Sequence, residues 1–250
     1  MAGGRNETVA IGVMAKAPVA GRCKTRLCPP LLPEQAAALS AAFLRDTTES
    51  IVAAARLAPI VAYAAYAPLG SEALLGKHLA DGTTLLLADG SPPMPPGVQG
   101  FGRCLLHAVQ SMLDRGHAAA CVLSADSPTL PTRLLVQAAE VLLAPGESAV
   151  LGPAEDGGYY LLGLKAAHPA MFADIAWSTA SVADETRDRA RSLALPLVEL
   201  ETWYDVDSVG SLRLLLEETS GYAARKTNRV VDRLGLRRVF AGATFLGAAE

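Results

Sequence analysis

A run of basic side chains near the start of the sequence could bind an anion. Between Thr8 and Pro33 the chain has four basic residues and no acidic ones, namely Lys16, Arg22, Lys24 and Arg26. Gly21, in the same segment, permits close approach of the backbone to a ligand. Lysine supplies a point charge and arginine a forked pair of donors, and both match phosphate oxygens. The segment therefore predicts a phosphate site, and the alternative is a basic turn that contacts only solvent.

The glycine spacing of this segment excludes two common nucleotide motifs. Only two residues separate Gly21 from Lys24, and the earlier glycine of a Walker A loop is missing. The segment is also not a G-x-G-x-x-G fingerprint, so a dinucleotide site is not indicated.

Carboxylates at two later positions could hold a divalent cation. Asp126 directly follows an apolar run, and oxygen ligands of this kind suit Mg²⁺ beside phosphates. Asp205 and Asp207 are at i and i+2, so in an extended segment both would point the same way. Together these aspartates predict a clamp for Mg²⁺ (or Mn²⁺). The alternatives are a local turn made by Asp126 before Pro128 and, for the later pair, acids favoured at a helix start.

Short apolar strands alternate with helices along the chain, which is the pattern of an α/β protein with helices on both faces of a parallel sheet. The predicted strands span 9–14, 59–65, 83–87, 119–123, 149–151, 159–164 and 197–201. The predicted helices span 33–56, 71–79, 103–115, 132–143, 179–193 and 209–218, with Ser71 and Ser208 as N-caps. A turn at 155–158 joins two of the strands and predicts a mixed sheet. The loop at 16–27 and Asp126 should then border one crevice, because the carboxyl ends of parallel strands share an edge.

Composition excludes several classes of protein. Of 250 residues, 51% are hydrophobic and 19% charged, which excludes a disordered or fibrous chain. With 22 basic and 25 acidic residues, the net charge of -3 argues against a general binder of nucleic acid or membrane surfaces. No apolar run reaches the ~20 residues of a membrane span. The four cysteines form no C-x-x-C pair, so we expect reduced thiols and a cytoplasmic protein.

The chain shows no linker long enough to mark a second large domain. We expect one domain over residues 1–220, followed by a basic and then apolar extension over 221–250. The apolar tail at 239–249 could pack against a second subunit, which would make the protein a homo-oligomer.

Four segments occur in an order that resembles a known family. They are G-x-x-K-T-R-L at 21–27, L-S-A-D-S-P-T-L-P at 123–131, G-P-A-E-D-G-G-Y-Y-L-L-G-L at 152–164 and D-V-D-S at 205–208. This order looks like the bacterial glycosyltransferase-A-type proteins described as nucleotide-diphospho-sugar transferases. It is similar, more distantly, to molybdenum-cofactor nucleotidyltransferases and phospholactate guanylyltransferase. The resemblance covers about residues 9 to 218.

The resemblance implies a single Rossmann-like α/β/α domain with a mostly parallel, mixed sheet. It implies that Asp126 holds Mg²⁺, with Asp207 as the better second ligand and Asp205 as the next. The residues implied to bind the nucleotide are Lys16, Ala17, Gly21, Arg22, Lys24, Thr25, Arg26, Gly100 and Gly102. Asp156, Gly157 and Gly158 would line the acceptor side; their alternative role is a plain hairpin turn. The family usually has an acidic residue near the second glycine of the segment at 99–103, and this chain has none there.

These inferences predict a metal-dependent transferase that binds a nucleotide and a small acceptor. Lys24, Arg22 and Asp126 are the predicted catalytic residues, acting by position and charge. Four cations favour a triphosphate substrate, hence nucleotidyl transfer with release of pyrophosphate. The resemblance to nucleotide-diphospho-sugar transferases instead favours a nucleotide-sugar donor, and hence glycosyl transfer. A non-catalytic, nucleotide-binding regulatory protein on the same fold is the rival from another class.

Overall fold

A computed structural model describes residues 6–243 as a seven-stranded sheet flanked by helices. The strands are β1 Asn6–Ala15, β2 Ile60–Tyr66, β3 Thr84–Leu87, β4 His117–Leu123, β5 Ala149–Pro153, β6 Tyr159–Leu164 and β7 Leu197–Glu199. The helices are α1 Pro33–Ala54, α2 Glu72–Gly76, α3 Phe101–Asp114, α4 Thr132–Leu143, α5 Val182–Ser192, α6 Val209–Glu217, α7 Arg225–Arg233 and α8 Leu236–Ala243. Residues 244–249 of the apolar tail, a candidate surface for packing against a second subunit, lie outside the described residues.

The sheet has the order β3-β2-β1-β4-β6-β5-β7. Strand β6 runs antiparallel to both of its neighbours, whereas every other pair of adjacent strands is parallel. The predicted mixed α/β sheet is therefore confirmed. The antiparallel strand arises because the tight turn at 155–158 leaves no room for the crossover that a parallel connection needs.

Two apolar clusters cover the two faces of the sheet. Along β1 the side chains alternate, since Val9, Ile11 and Val13 face one cluster and Ala10 faces the other. The first cluster contains residues of α1, α4, α6 and α7, and the second contains residues of α3 and α5. On the second face, a Cβ at Gly12 would lie 3.1 Å from the sulfur of Met112, so the Met112 side chain of α3 packs directly against the backbone of β1 there.

Helix α7 is joined to α1 by a buried carboxylate. Asp46, in the middle of α1, is fully buried and accepts hydrogen bonds from the backbone N–H groups of Lys226 at 3.0 Å and Thr227 at 2.7 Å. Ala224, at the N-cap of α7, has no side-chain oxygen to do this. Asp46 therefore caps α7 from a different helix and ties the basic C-terminal segment to the main body.

The two predicted serine caps have different outcomes. Ser208 does cap α6, because its Oγ accepts from the backbone N–H of Ser211 at 3.1 Å. Ser71 precedes α2, but its hydroxyl donates backwards to the carbonyl of Pro68 at 2.6 Å. The cap predicted at Ser71 was wrong, since the preceding turn offers its hydroxyl a closer partner.

Among residues 6–243, none of the helices has the length and apolar character needed to cross a bilayer.

Candidate active site

A cavity of about 630 Å³ opens at the carboxyl ends of the parallel strands. It lies between the loop after β1, the start of α3 and the segment after β4. The predicted site residues on its wall are Lys16, Arg22, Lys24, Gly100, Asp126 and Asp207. Residues from four distant parts of the sequence thus meet at one edge of the sheet, as expected for an open parallel sheet.

Lys24 lies between two of the aspartates. Its Nζ is 2.7 Å from Oδ1 of Asp126 and 2.5 Å from Oδ1 of Asp207. The lysine side chain is only 5% exposed, whereas the two carboxylates are 36% and 41% exposed. The carboxylates therefore converge on one cation from the side of the cavity that solvent and ligands can reach.

The backbone around Lys24 directs its side chain inward. Lys24 has φ 48°, a left-handed conformation, and immediately precedes the 3₁₀ turn Thr25–Leu27. Leu27 is fully buried and anchors that turn in the core beside α1. The ring of Phe43 in α1 lies 5.6 Å from the ammonium and forms the apolar wall behind it. The left-handed backbone costs about 1 to 2 kcal/mol, which these contacts must offset.

Asp207 reaches Lys24 because the segment that carries it is hydrogen-bonded to the residue that follows the end of β4. The N–H of Val206 donates to the carbonyl of Asp126 at 2.8 Å, and the Val206 side chain is fully buried. The N–H of Asp207 donates to Oγ of Ser211 in α6 at 3.0 Å. These bonds hold the acidic segment against the strand that carries Asp126.

The charges at this clamp shift the pKa values of its members. Burial acts to lower the pKa of Lys24, but attraction to Asp126 and Asp207 outweighs it and raises this pKa above its usual value. Burial, together with repulsion from Asp156 and Asp207, raises the pKa of Asp205 to about 7. Lys24 is therefore an ammonium at neutral pH, and the acidic cluster would gain from a further positive charge.

The remaining basic residues of the first loop fall into two groups. Lys16 and Arg22 are exposed, line the cavity and make no ion pair among residues 6–243. Arg26 is also exposed but lies outside the cavity wall. Ala17, Gly21 and Thr25 also lie outside the cavity wall. Gly21, with φ 74°, nevertheless makes the turn that brings Arg22 and Lys24 to the site. The cavity therefore offers two unpaired cations to an anion.

The two glycines at the start of α3 have different surroundings. Gly100 lines the cavity with φ 53°. Gly102 is buried, and a Cβ there would lie 2.8 Å from the carbonyl oxygen of Phe172 and 2.9 Å from Nε1 of Trp177. Gly102 therefore permits close packing of Trp177 over α3, outside the cavity wall. Trp177 also meets the ring of Phe101 edge-on, with ring centroids 6.0 Å apart.

The turn at residues 155–158 lies beside the cavity and does not line it. The carboxylate of Asp156 accepts from the N–H of Gly158 at 2.9 Å, which is an Asx turn. Gly157 has φ 88°, and a Cβ there would lie 2.1 Å from the carbonyl oxygen of Ala180. The structure gives these residues a folding role, and their role toward an acceptor stays a prediction. Asp205 likewise lies off the cavity wall.

Most of the cavity wall came from residues that sequence reasoning did not select. They are mostly small or apolar side chains at the ends of β1, β2, β3 and β4, in the loops that follow, and on α1 and α3, with two tyrosines from β6: Met14, Ala15, Cys23, Ser40, Leu44, Ala65, Ala67, Ala88, Phe101, Cys104, Leu105, Val122, Leu123, Ser124, Ala125, Tyr159 and Tyr160. Little in the local sequence distinguishes them from core residues, since most are apolar and lie in predicted strands and helices or directly beside them. An apolar wall with a few charged groups at one end is the usual make-up of a small-molecule site.

Asp126 and Asp207 fit a divalent cation. Their carboxylates already meet at a single positive group, and carboxylate oxygens are the preferred protein ligands of Mg²⁺. Among the described residues there is no cluster of three or more potential metal-ligating side chains. Two carboxylates are nevertheless sufficient for an ion that takes its other ligands from water and substrate phosphates.

The fold and this site define an α/β protein of the nucleotidyltransferase and glycosyltransferase-A type, with a charged cavity at the carboxyl edge of the sheet. The chain belongs to the DUF2064 family, described as "Uncharacterized protein conserved in bacteria", whose model matches residues 48–179. No curated protein matches it.

Two solved structures show what the chain is similar to. One is a "putative nucleotide-diphospho-sugar transferase" from Desulfovibrio desulfuricans G20, with 26% identity, a TM-score of 0.74, and coverage of 90% of this chain and 96% of that one. The other is a CMP:2-keto-3-deoxy-manno-octonic acid synthetase complexed with CTP, with 12% identity, a TM-score of 0.52, and coverage of 85% of this chain and all of that one. The second comparison shows a shared fold only.

Proposed function

We propose that this protein is a divalent-metal-dependent transferase that acts on a nucleotide-diphospho-sugar. The observation that carries the proposal is the convergence of Asp126, Asp207 and Lys24 in a cavity whose mouth presents Lys16 and Arg22. A nucleoside diphosphate group needs a cation-rich end and an apolar region for the rest of the ligand. The cavity has both.

The number of free cations favours a diphosphate over a triphosphate. The sequence offers four basic residues in the loop, but Lys24 is already paired with two carboxylates and Arg26 lies off the cavity wall. The cavity wall thus presents two exposed cations, Lys16 and Arg22, one for each phosphate group of a diphosphate leaving group. The similarity to the Desulfovibrio nucleotide-diphospho-sugar transferase structure, at 26% identity over 90% of this chain, supports the same donor class.

The residues of the chain would then act by position and charge. Asp126 and Asp207 would hold the metal ion, which when bound offsets negative charge on the departing diphosphate. Arg22 and Lys16 would bind diphosphate oxygens at the mouth of the cavity. The apolar wall would exclude water from the rest of the donor. No protein nucleophile is required, because orientation and electrostatic stabilisation are sufficient sources of acceleration.

Nucleotidyl transfer is the second candidate. It is supported by the basic loop and by the fold shared with the CTP-bound synthetase. In that reaction an acceptor would attack the α-phosphorus of a nucleoside triphosphate, and Arg22 would stabilise the departing pyrophosphate.

Two substrate panels distinguish these reactions. The protein would be incubated with Mg²⁺ or Mn²⁺ and either nucleotide-sugars or nucleoside triphosphates, with cell extract as the source of acceptors. Free nucleoside diphosphate would be scored in the first panel and pyrophosphate in the second. We expect release of nucleoside diphosphate that requires the metal and is lost in Asp126→Asn, while Arg26→Ala keeps it. Pyrophosphate release alone would establish the second candidate instead.

A non-catalytic nucleotide-binding protein gives a third pattern of results. It would bind nucleotides in the cavity, as measured by calorimetry, and yield product in neither panel. That outcome would overturn the transferase proposal. A nucleotide bound away from residues 16–27 in a ligand complex would overturn the site itself.

A further inference from the structure

We propose that Lys24 is an internal counter-ion that keeps free divalent cations off Asp126 and Asp207, so that the site takes up metal only together with a polyphosphate group. This inference rests on the proposed function and adds the form in which the ligand is bound: a metal–nucleotide complex, with neither component held tightly alone.

The contacts of Lys24 make it a competitor for the metal. Its ammonium lies 2.7 Å from Asp126 and 2.5 Å from Asp207, which is the space where a cation shared by these carboxylates must lie. Mg²⁺ binds oxygen at about 2.0 to 2.1 Å and tolerates little distortion. A divalent ion and an ammonium cannot share that space, because they repel each other strongly at such short separation. Metal binding to the free protein must therefore include the cost of displacing Lys24.

The surroundings of Lys24 make that displacement costly without a second anion. The lysine side chain is 5% exposed, so it cannot exchange its carboxylates for water where it lies. The ring of Phe43 closes the apolar side behind it. Residues 24–27 are held in place by the buried Leu27. Leaving both carboxylates is therefore unfavourable unless another negative group lies within reach of the side chain.

A polyphosphate would supply that negative group. Lys16 and Arg22 present unpaired charges on the same cavity wall and would bring phosphate oxygens next to Lys24. The flexible four-carbon stem of lysine lets its ammonium turn from the carboxylates to a phosphate without a change of backbone. The aspartates then become available to the metal. Because binding couplings are reciprocal, the metal must raise the affinity for the polyphosphate by the same factor.

The test measures binding of Mn²⁺ to the full chain without any substrate, by electron paramagnetic resonance of the free ion. The variants are Lys24→Met, which removes the ammonium and keeps an apolar stem of similar length, and Lys77→Met as a matched control at an exposed lysine off the cavity wall. We expect Lys24→Met to bind Mn²⁺ about tenfold or more tightly than the wild type, within the usual range of such couplings of about 5- to 150-fold. Lys77→Met should change the affinity by less than about threefold, because Lys77 makes no ion pair with the aspartates and lies outside the cavity wall.

A double variant assigns any gained binding to this site. Adding Asp126→Asn to Lys24→Met should remove the extra affinity. Thermal melts would show that each variant is folded, and Lys24→Gln would replace Lys24→Met if the latter melts early. If the folded Lys24 variants bind Mn²⁺ no more tightly than the wild type, Lys24 does not exclude the metal and the inference is overturned. The inference is also overturned if Asp126→Asn leaves the gained affinity intact.

Nucleotide dependence gives a second measurement. With ADP, CDP, GDP and UDP tested separately, the wild type should bind Mn²⁺ more tightly in the presence of at least one of them, whereas Lys24→Met should gain much less. Failure of the inference is distinct from failure of the proposed function. Tighter Mn²⁺ binding by Lys24→Met without turnover in either substrate panel would support the inference and overturn the transferase. Turnover with unchanged Mn²⁺ binding would do the reverse.

Discussion

Replacement of Gly157 by alanine should destabilise the fold through a specific clash. The added Cβ would lie 2.1 Å from the carbonyl oxygen of Ala180, a backbone atom. That carbonyl immediately precedes the start of α5, where the N–H of Ala183 donates back to the carbonyl of Gly157 at 2.9 Å. The oxygen therefore cannot move without disturbing the start of the helix.

Gly82 provides a matched control for the backbone conformation. Both glycines have φ 88°, but a Cβ at Gly82 would meet no atom within 4 Å. Alanine at either position has the strain of a positive φ, about 1 to 2 kcal/mol. At Gly157 the overpacking adds about 1 to 3 kcal/mol. We therefore expect Gly157→Ala to lose about 2 to 5 kcal/mol of unfolding free energy and Gly82→Ala about 1 to 2 kcal/mol.

Urea unfolding of the two variants and the wild type, followed by circular dichroism, measures this difference. Equal m-values would show that the variants unfold from comparable states. If the two variants differ by less than about 0.5 kcal/mol, the clash is relieved by local movement and the packing argument fails. The glycine at 157 would then be more simply explained by close approach of a ligand, as the family resemblance implies.

Three further predictions concern charged groups. Asp46→Ala should lower the unfolding free energy by about 2 kcal/mol, because it leaves the first N–H groups of α7 unpaired, and Asp46→Asn should lose less, since it keeps one acceptor oxygen. Burial raises the pKa of Asp46, so the folded chain holds this proton more tightly than the unfolded chain does. Stability from this group is therefore lost as pH rises through the folded pKa. In urea unfolding, the difference in unfolding free energy between the wild type and Asp46→Asn should be larger at about pH 4 than at about pH 7. A difference that grows with pH would contradict this. Arg22→Ala should weaken binding of inorganic pyrophosphate in the presence of Mg²⁺ by about three- to tenfold, as measured by calorimetry, while Arg26→Ala should have a smaller effect because it lies off the cavity wall. Equal losses for the two arginines would show that only net charge matters.

The periodicity of the sequence predicted the elements of the fold well. The apolar runs of β1 and β4 and the helical spacing of α1 and α4 are local patterns, and the structure has them within a few residues of the predicted bounds. The short turn at residues 155–158 was enough to predict the antiparallel pair. Placement of Asp126 and the basic loop at one edge followed from the parallel sheet alone, because consecutive strands of such a sheet end on the same side.

The pairing of charges was decided by the tertiary structure. Lys24 and Asp207 are 183 residues apart, and the hydrogen bond from Val206 to the end of β4, together with burial of the Val206 side chain, brings them together. The sequence assigns both Arg22 and Arg26 to the nucleotide, yet the turn at Gly21 and the 3₁₀ turn after Lys24 direct only Arg22 to the cavity.

The chain's own residue types therefore determined which chemistry is available: cations after the first strand and carboxylates after later ones. Packing decided which of these groups meet. Packing also decides that Asp46 caps helix α7, since the hydrogen bond joins residues 180 positions apart in the sequence. A local pattern specifies which face of an element is apolar, but the partner of a buried charge depends on how distant elements pack, and no short segment contains that information.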